Sequence, residues 1–256
     1  MPGHTVFCFL HEIGEVRKPY SVFPRGDCGL VPHPCVIGQQ VGKPRLKIGG
    51  VTKHRPLSHG QGIDAGLSYD QIWVTFYPQA LDDDATRLSV EEIISHPDYL
   101  DDQPGDLHDI ALVILEDPMQ GIEPEALPEL GYLDGVIPQG ATGKSRKEVD
   151  LIVVGYGATD HELSPTEYPD IHLDAIRHVG AVSFQELLPF YIRLNLLSFP
   201  DNAFPCMGDS GGPMFHVEQH GNEVLVGLLG TYSSQFYYRL DTESAQEFID
   251  ANLPYD

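Results

Sequence analysis

Basic residues are scarce in this chain. Among 256 residues, 15 Lys and Arg stand against 38 Asp and Glu, a formal net charge of −23 at pH 7. A surface of that sign repels phosphate backbones and anionic headgroups, which excludes nucleic acid and membrane surfaces as expected partners. Solubility is the plainest reason for such a charge. Long apolar runs are missing too: Ile110–Leu115 and Leu151–Val154 fall far short of the ~18 residues of a membrane span. Met1 is followed by no basic region, and Thr5–Leu10 is shorter than the roughly 7–15 residues of a signal-peptide core, so no export signal is expected there. No repeat recurs at a period of roughly 20–50 residues, which removes solenoids and propellers.

Cysteine is also sparse. Cys8, Cys28 and Cys35 crowd the start of the chain and Cys206 stands alone far downstream, so no pairing follows from sequence. The Cys28/Cys35 spacing fits no common zinc pattern, and no metal or cofactor is expected. What is abundant is turn chemistry, with 26 Gly and 21 Pro spread along the length. Many short elements joined by turns are therefore expected, in one compact unit or two small ones sharing an interface.

From Gln71 onward, segments rich in β-branched and aromatic residues alternate with turn clusters. Strands are predicted over Ile72–Tyr77, Asp109–Leu115, Asp150–Tyr156, Ile171–Phe184, Tyr191–Phe199, Pro213–Val217 and Val224–Tyr232. The last segment differs: Thr242 offers a hydroxyl cap, and Ala245, Phe248, Ile249 and Leu253 follow at helical spacing. Residues 135–147 are the candidate linker, which divides the chain into an unassigned segment 1–58, an N-terminal β unit 59–145 and a C-terminal unit 146–256 carrying the terminal helix.

The sharpest motif is Cys206-Met207-Gly208-Asp209-Ser210-Gly211-Gly212-Pro213. Glycines on both sides of a serine allow backbone conformations closed to other residues and leave its hydroxyl open to a carbonyl. The run G-D-S-G-G-P resembles the nucleophile loop of the trypsin/chymotrypsin family. Asp109-Ile110-Ala111-Leu112 resembles that family's acid-bearing strand, and Ile72–Phe76, Ile152–Gly157 and Tyr238–Thr242 are similar to segments of its bacterial and fungal secreted members.

The resemblance implies an all-β fold of two antiparallel barrels with a C-terminal helix, the first barrel expected to lack strands. It also implies a Ser-His-Asp triad acting on a polypeptide substrate, an extracellular setting and a monomer. By resemblance, Ser210 is the nucleophile, the N–H groups of Gly208 and Ser210 form the oxyanion hole, and Asp209 holds the loop in its active shape. Asp109 lies 101 residues before Ser210, against about 93 in the usual arrangement. His59 lies 50 residues before Asp109, against about 45, and ranks ahead of His54 and His33 as the base. The family's T-A-A-H-C block is absent around Leu57-Ser58-His59-Gly60, so a catalytically inactive homologue that binds rather than cleaves is the alternative expectation.

By the same resemblance, the pocket floor is expected at Phe204 and its wall near Gly230 and Tyr232. With no carboxylate at Phe204, a small or apolar substrate side chain is predicted. Lys47-Ile48-Gly49-Gly50-Val51 looks like an activation site, yet it sits too close to His59 to be one, and it is read as a chance match. An α/β-hydrolase elbow would need an acid and a histidine after Ser210, and no histidine follows His220. Gly143-Lys144-Ser145 lacks the leading glycine of a phosphate loop, and His216/His220 reads as a hairpin rim rather than a zinc pair.

Overall fold

The computed structural model describes residues 74–99, 108–117, 125–137, 149–157, 175–195, 203, 205, 209, 211–230 and 236–252, and the backbone alone of 31–32, 46–49, 73, 161–162 and 170–171. In chain order the elements are β1 (Val31–Pro32), β2 (Leu46–Gly49), β3 (Trp73–Val74), β4 (Leu88–Ser95), β5 (Ala111–Leu115), α1 (Tyr132–Val136), β6 (Leu151–Gly155), β7 (His161–Glu162), β8 (Asp170–Ile171), β9 (His178–Val182), β10 (Phe184–Leu187), β11 (Tyr191–Leu194), β12 (Pro213–Val217), β13 (Glu223–Leu229), β14 (Phe236–Arg239) and α2 (Glu243–Asn252). Among the described residues, one sheet orders its strands β2-β5-β4-β3 and a second β1-β9-β6-β12-β13-β14-β11-β10, with β7 and β8 as a separate pair. The all-β architecture and its terminal helix agree with the sequence expectation.

Strand alternation explains how the sheets meet. On β5 and its approach, Ile110, Leu112 and Ile114 face a core shared with β6, β9, β12, β13 and α2, whereas Val113 and Leu115 close a small cluster with Val74 and Val90. β13 is buried along its whole length, as a central strand packed on both faces must be. A further cluster under the second sheet gathers Leu133 and Ile137 from the α1 region with Leu151, Val153, Ile192, Met214 and Val226.

Where the strands depart from expectation, the local chemistry gives the reason. β4 was not foreseen, because its register slips between Val90 and Glu92 and that bulge interrupts the alternation a sequence pattern relies on. The predicted run Ile171–Phe184 breaks up: Ala175 takes a positive φ of 54°, β9 begins only at His178, and Ser183 separates β9 from β10. Gly135, where the linker candidate begins, belongs to α1, and residues 138–148 lie outside the described part. β1 and β2 fall in the segment that had no assignment, pairing with β9 and β5 respectively. Ile48 sits opposite Leu112 within β2. The terminal helix is capped as predicted, with the Ala245 N–H donating to Thr242 Oγ1 at 3.3 Å and Ala245, Phe248 and Ile249 turned inward.

A strap between the sheets, residues 125–137, is clipped onto the second one. The Leu225 N–H donates to the Ala126 carbonyl at 2.9 Å, and the Gly131 N–H donates to the Asp241 carbonyl at 2.9 Å. Arg239, 5% exposed, donates through Nε and Nη2 to the two carboxylate oxygens of Asp241 at 2.8 and 2.9 Å, and through Nη2 to Asp134 at 2.9 Å. Burial works against the charge on Arg239, but the hydrogen bonds and charges of Asp241 and Asp134 outweigh it and raise its pKa. Asp241 also accepts from the Leu133 N–H at 2.8 Å, so one buried carboxylate joins β14 to α1.

Candidate active site

The turn that carries the serine is built from backbone restraints on either side of it. The Gly212 N–H donates to the Asp209 carbonyl at 2.8 Å, closing a turn in which Gly211 takes φ +80°, a conformation that favours glycine at its third position. Gly211 then donates to the Leu229 carbonyl and Leu229 to the Gly212 carbonyl, each at 2.8 Å, so the turn is stitched to the end of β13. A side chain at Gly212 would bring its Cβ to 2.6 Å from the Asp209 carbonyl and 2.9 Å from that of Val154. The second glycine after the serine is therefore a packing requirement: two backbones pass where a Cβ would go.

Asp209 faces inward at 3% exposure and accepts from the Gly157 N–H at 2.7 Å. A Cβ at Gly155 would overlap its carboxylate, so β6 can pass the turn only with glycine there. Buried Tyr237 lies close enough that burial, and then the charge on Asp209, push its phenol pKa well up. Gly155 and Gly157 were not singled out from sequence as site residues; the G-Y-G spacing after an apolar strand was the only visible signal.

Asp109 reaches this region from the other sheet. It precedes β5, is 4% exposed, and its Oδ2 would lie 3.3 Å from a Cβ built on Gly230, the residue that follows β13. Gly230 in turn donates to the Phe236 carbonyl at 2.9 Å, and its neighbour Leu229 is the residue stitched to Gly212. The carboxylate carried by the first sheet is thus brought to the strand end that anchors the serine turn. A Trypsin family model matches residues 68–235, the greater part of the chain. The chain belongs to the trypsin family.

Here a buried aspartate enters from one sheet and the serine turn is held by the other. The chymotrypsin-type all-β fold expected of a trypsin-family protein agrees with the sheets and terminal helix described above. Of the residues predicted for the site, Asp109, Asp209 and Gly230 are described, and they lie around the end of β13. His59, Ser210, Gly208, Phe204 and Tyr232 lie outside the described residues, as do all four cysteines. The matched stretch includes Asp109 and Ser210 and begins after His59.

A concavity lies at the opposite end of β13. It is a cavity of about 750 Å³ lined by Glu125, Glu129, Tyr132, Glu218 and Glu223, among others. Ala126 bridges Val224 in parallel, which sets Glu125 beside Glu223. Burial, and then the charge of Glu223, push the Glu125 pKa up to about 7. The Tyr132 hydroxyl donates to Glu218 at 3.1 Å, and its pKa is pushed up to about 12 by burial, that bond and the Glu218 charge. These carboxylates belong to the strap and its hairpin rather than to the serine turn.

Proposed function

We propose that this trypsin-family chain is a serine endopeptidase that cleaves peptide bonds through an acyl-enzyme formed on Ser210. Ser210 attacks the carbonyl, His59 takes its proton and later delivers it to the leaving amine, and Asp109 fixes the imidazole tautomer. The N–H groups of Gly208 and Ser210 receive the oxyanion, and Asp209 keeps the turn in shape from below. The observation that carries this reading is the approach of the buried Asp109 carboxylate to Gly230, beside the strand end to which Gly211 and Gly212 are bonded.

Specificity follows from the residues expected around the pocket. Phe204 offers no counter-charge to a basic side chain, and Gly230 and Tyr232 suit a small or apolar one. The substrate is a polypeptide met outside the cell, and the enzyme works as a monomer without a cofactor.

A second reading has one observation in its favour: the family match begins after His59, where the usual histidine block is also absent. In that reading the chain keeps the fold and binds without cleaving. Labelling with a fluorophosphonate probe, with the modified residue mapped by mass spectrometry, separates the two. The endopeptidase reading expects modification of Ser210 that is lost in His59→Ala. A folded wild-type chain that takes up no label would sink it and leave the binding homologue.

A further inference from the structure

Away from the serine turn, three side chains from the two ends of the described chain converge. His96 follows β4, His108 immediately precedes Asp109, and Ser244 lies in the first turn of α2. Ser244 Oγ is 2.9 Å from His108 Nδ1 and 3.2 Å from His96 Nε2. The two imidazoles stack with centroids 4.4 Å apart and planes 17° from parallel, and Phe248 of α2 lies 5.0 Å from the His96 ring. Both histidines come from the margin of the first sheet, whereas the serine comes from the helix packed in the core it shares with the second.

The protons in this cluster have a direction. The Asp98 backbone N–H donates to His96 Nδ1 at 3.2 Å, so that nitrogen carries no proton and the ring is neutral with its proton on Nε2. Nε2 then donates to Ser244 Oγ, and the serine hydroxyl is left to donate to His108 Nδ1. The same segments are tied by backbone: the His96 N–H donates to the Ile110 carbonyl at 3.1 Å and the Ile110 N–H to the His108 carbonyl at 2.8 Å. Asp109 is therefore held between His108, whose side chain is in the cluster, and Ile110, whose carbonyl accepts from the His96 N–H.

We propose that Ser244 is a positioning residue, the bolt of a latch by which α2 holds the Asp109 segment in place, and that protonation of His96 or His108 opens the latch. A proton on His96 Nδ1 would face the Asp98 N–H, donor against donor. Charging both stacked rings would add repulsion at 4.4 Å. Among the described residues, the neighbouring ionisable groups include Asp98 and Tyr99 in the turn after β4, Asp109 beside His108, and Glu243 and Glu247 on α2. The carboxylates soften the repulsion between two imidazolium rings but do not relieve the clash at Nδ1.

The positioning role rests on the endopeptidase reading; the latch itself does not, and two readouts keep them apart. Hydrogen exchange and the rate of fluorophosphonate labelling at Ser210 are followed from pH 8 to pH 5 on the full chain, as wild type, Ser244→Ala and Ser244→Thr. The wild type is expected to lose protection at the amides of His96, Ile110 and Gln246, corrected for intrinsic exchange, as pH falls from 8 to 5. Ser244→Ala is expected to show the low protection already at pH 8 and to label about fivefold more slowly there, the equivalent of one lost hydrogen bond of about 1 kcal/mol. Ser244→Thr, which keeps the hydroxyl, restores both. Protection in Ser244→Ala equal to wild type at every pH overturns the latch. Lost protection with unchanged labelling overturns the positioning role. Lost protection in a chain that never labels supports the latch and sinks the endopeptidase reading instead.

Discussion

The two sheets hold their shares of the site by different means. The second sheet encloses the serine turn with its own backbone: Gly157 bonds Asp209, Gly155 and Gly212 leave room for it, and Leu229 stitches it to β13. Asp109, in contrast, stands on the margin of a smaller sheet whose private core among the described residues is Val74, Val90, Val113 and Leu115. Its position depends on docking, through Ile110 and Leu112 in the shared core and through His96, His108 and Ser244 at the edge. The serine turn is built into one sheet, while Asp109 has to be delivered by packing. Disturbances of stability and disturbances of the site should therefore separate according to which sheet they touch.

The largest disturbance is expected where the second sheet holds its strap. Asp241→Ala removes the bidentate partner of a buried guanidinium and should lower stability by about 4 kcal/mol, because Arg239 is left charged and buried. Chemical denaturation measures this, and a loss below about 1 kcal/mol would show that the strap does not rely on the pair. Leu112→Ala comes next, at about 3 kcal/mol, since it opens a cavity in the core that seats Asp109. Here labelling of Ser210 should slow at temperatures well below the unfolding midpoint, and an unchanged rate would mean that docking does not control the acid.

Gly155→Ala tests the opposite side. The added methyl overlaps the Asp209 carboxylate, with an expected cost of about 2 kcal/mol in stability and a disproportionate loss of labelling. If labelling falls no further than it does for Leu112→Ala, the contrast between the two sheets is wrong.

The smallest effect concerns pH. Folding raises the Glu125 pKa to about 7 from an ordinary 4.5, so the folded state binds the extra proton and stability declines as pH rises from 4.5 to 7, with no further change above that window. After allowance for solvent screening of a half-buried group, the decline is about 1 kcal/mol. Glu125→Gln should abolish it and be about 1 kcal/mol more stable than wild type at pH 8, as read by urea unfolding at pH 5 and pH 8. An unchanged slope would assign the pH dependence to other groups.

Local chemistry made much of this protein legible from the chain alone. Strand periodicity pointed to β5, β6, β12 and β13, and Thr242 with Ala245, Phe248 and Ile249 pointed to α2, because a cap and an apolar face are written in neighbouring residues. The G-D-S-G-G-P run pointed to the serine turn for the same reason: its glycines answer to a conformation at Gly211 and a close approach at Gly212 that are settled within a few residues. β4 was hidden by a bulge, and the break of the predicted strand 171–184 by the conformation of Ala175.

What sequence could not decide is whatever depends on distant segments meeting. Gly155 is required only because Asp209, far along the chain, turns its carboxylate into that space. Gly230 was expected near the pocket wall, and only the fold shows that Asp109 also comes against it; Ser244 looked like an ordinary helix residue until two histidines closed on its hydroxyl. Backbone preferences and periodicity act over a few residues and can be read along a line. The carboxylate, the glycine that makes room for it and the hydroxyl that holds its segment are matched across the core, where only packing of the two sheets sets which atoms touch.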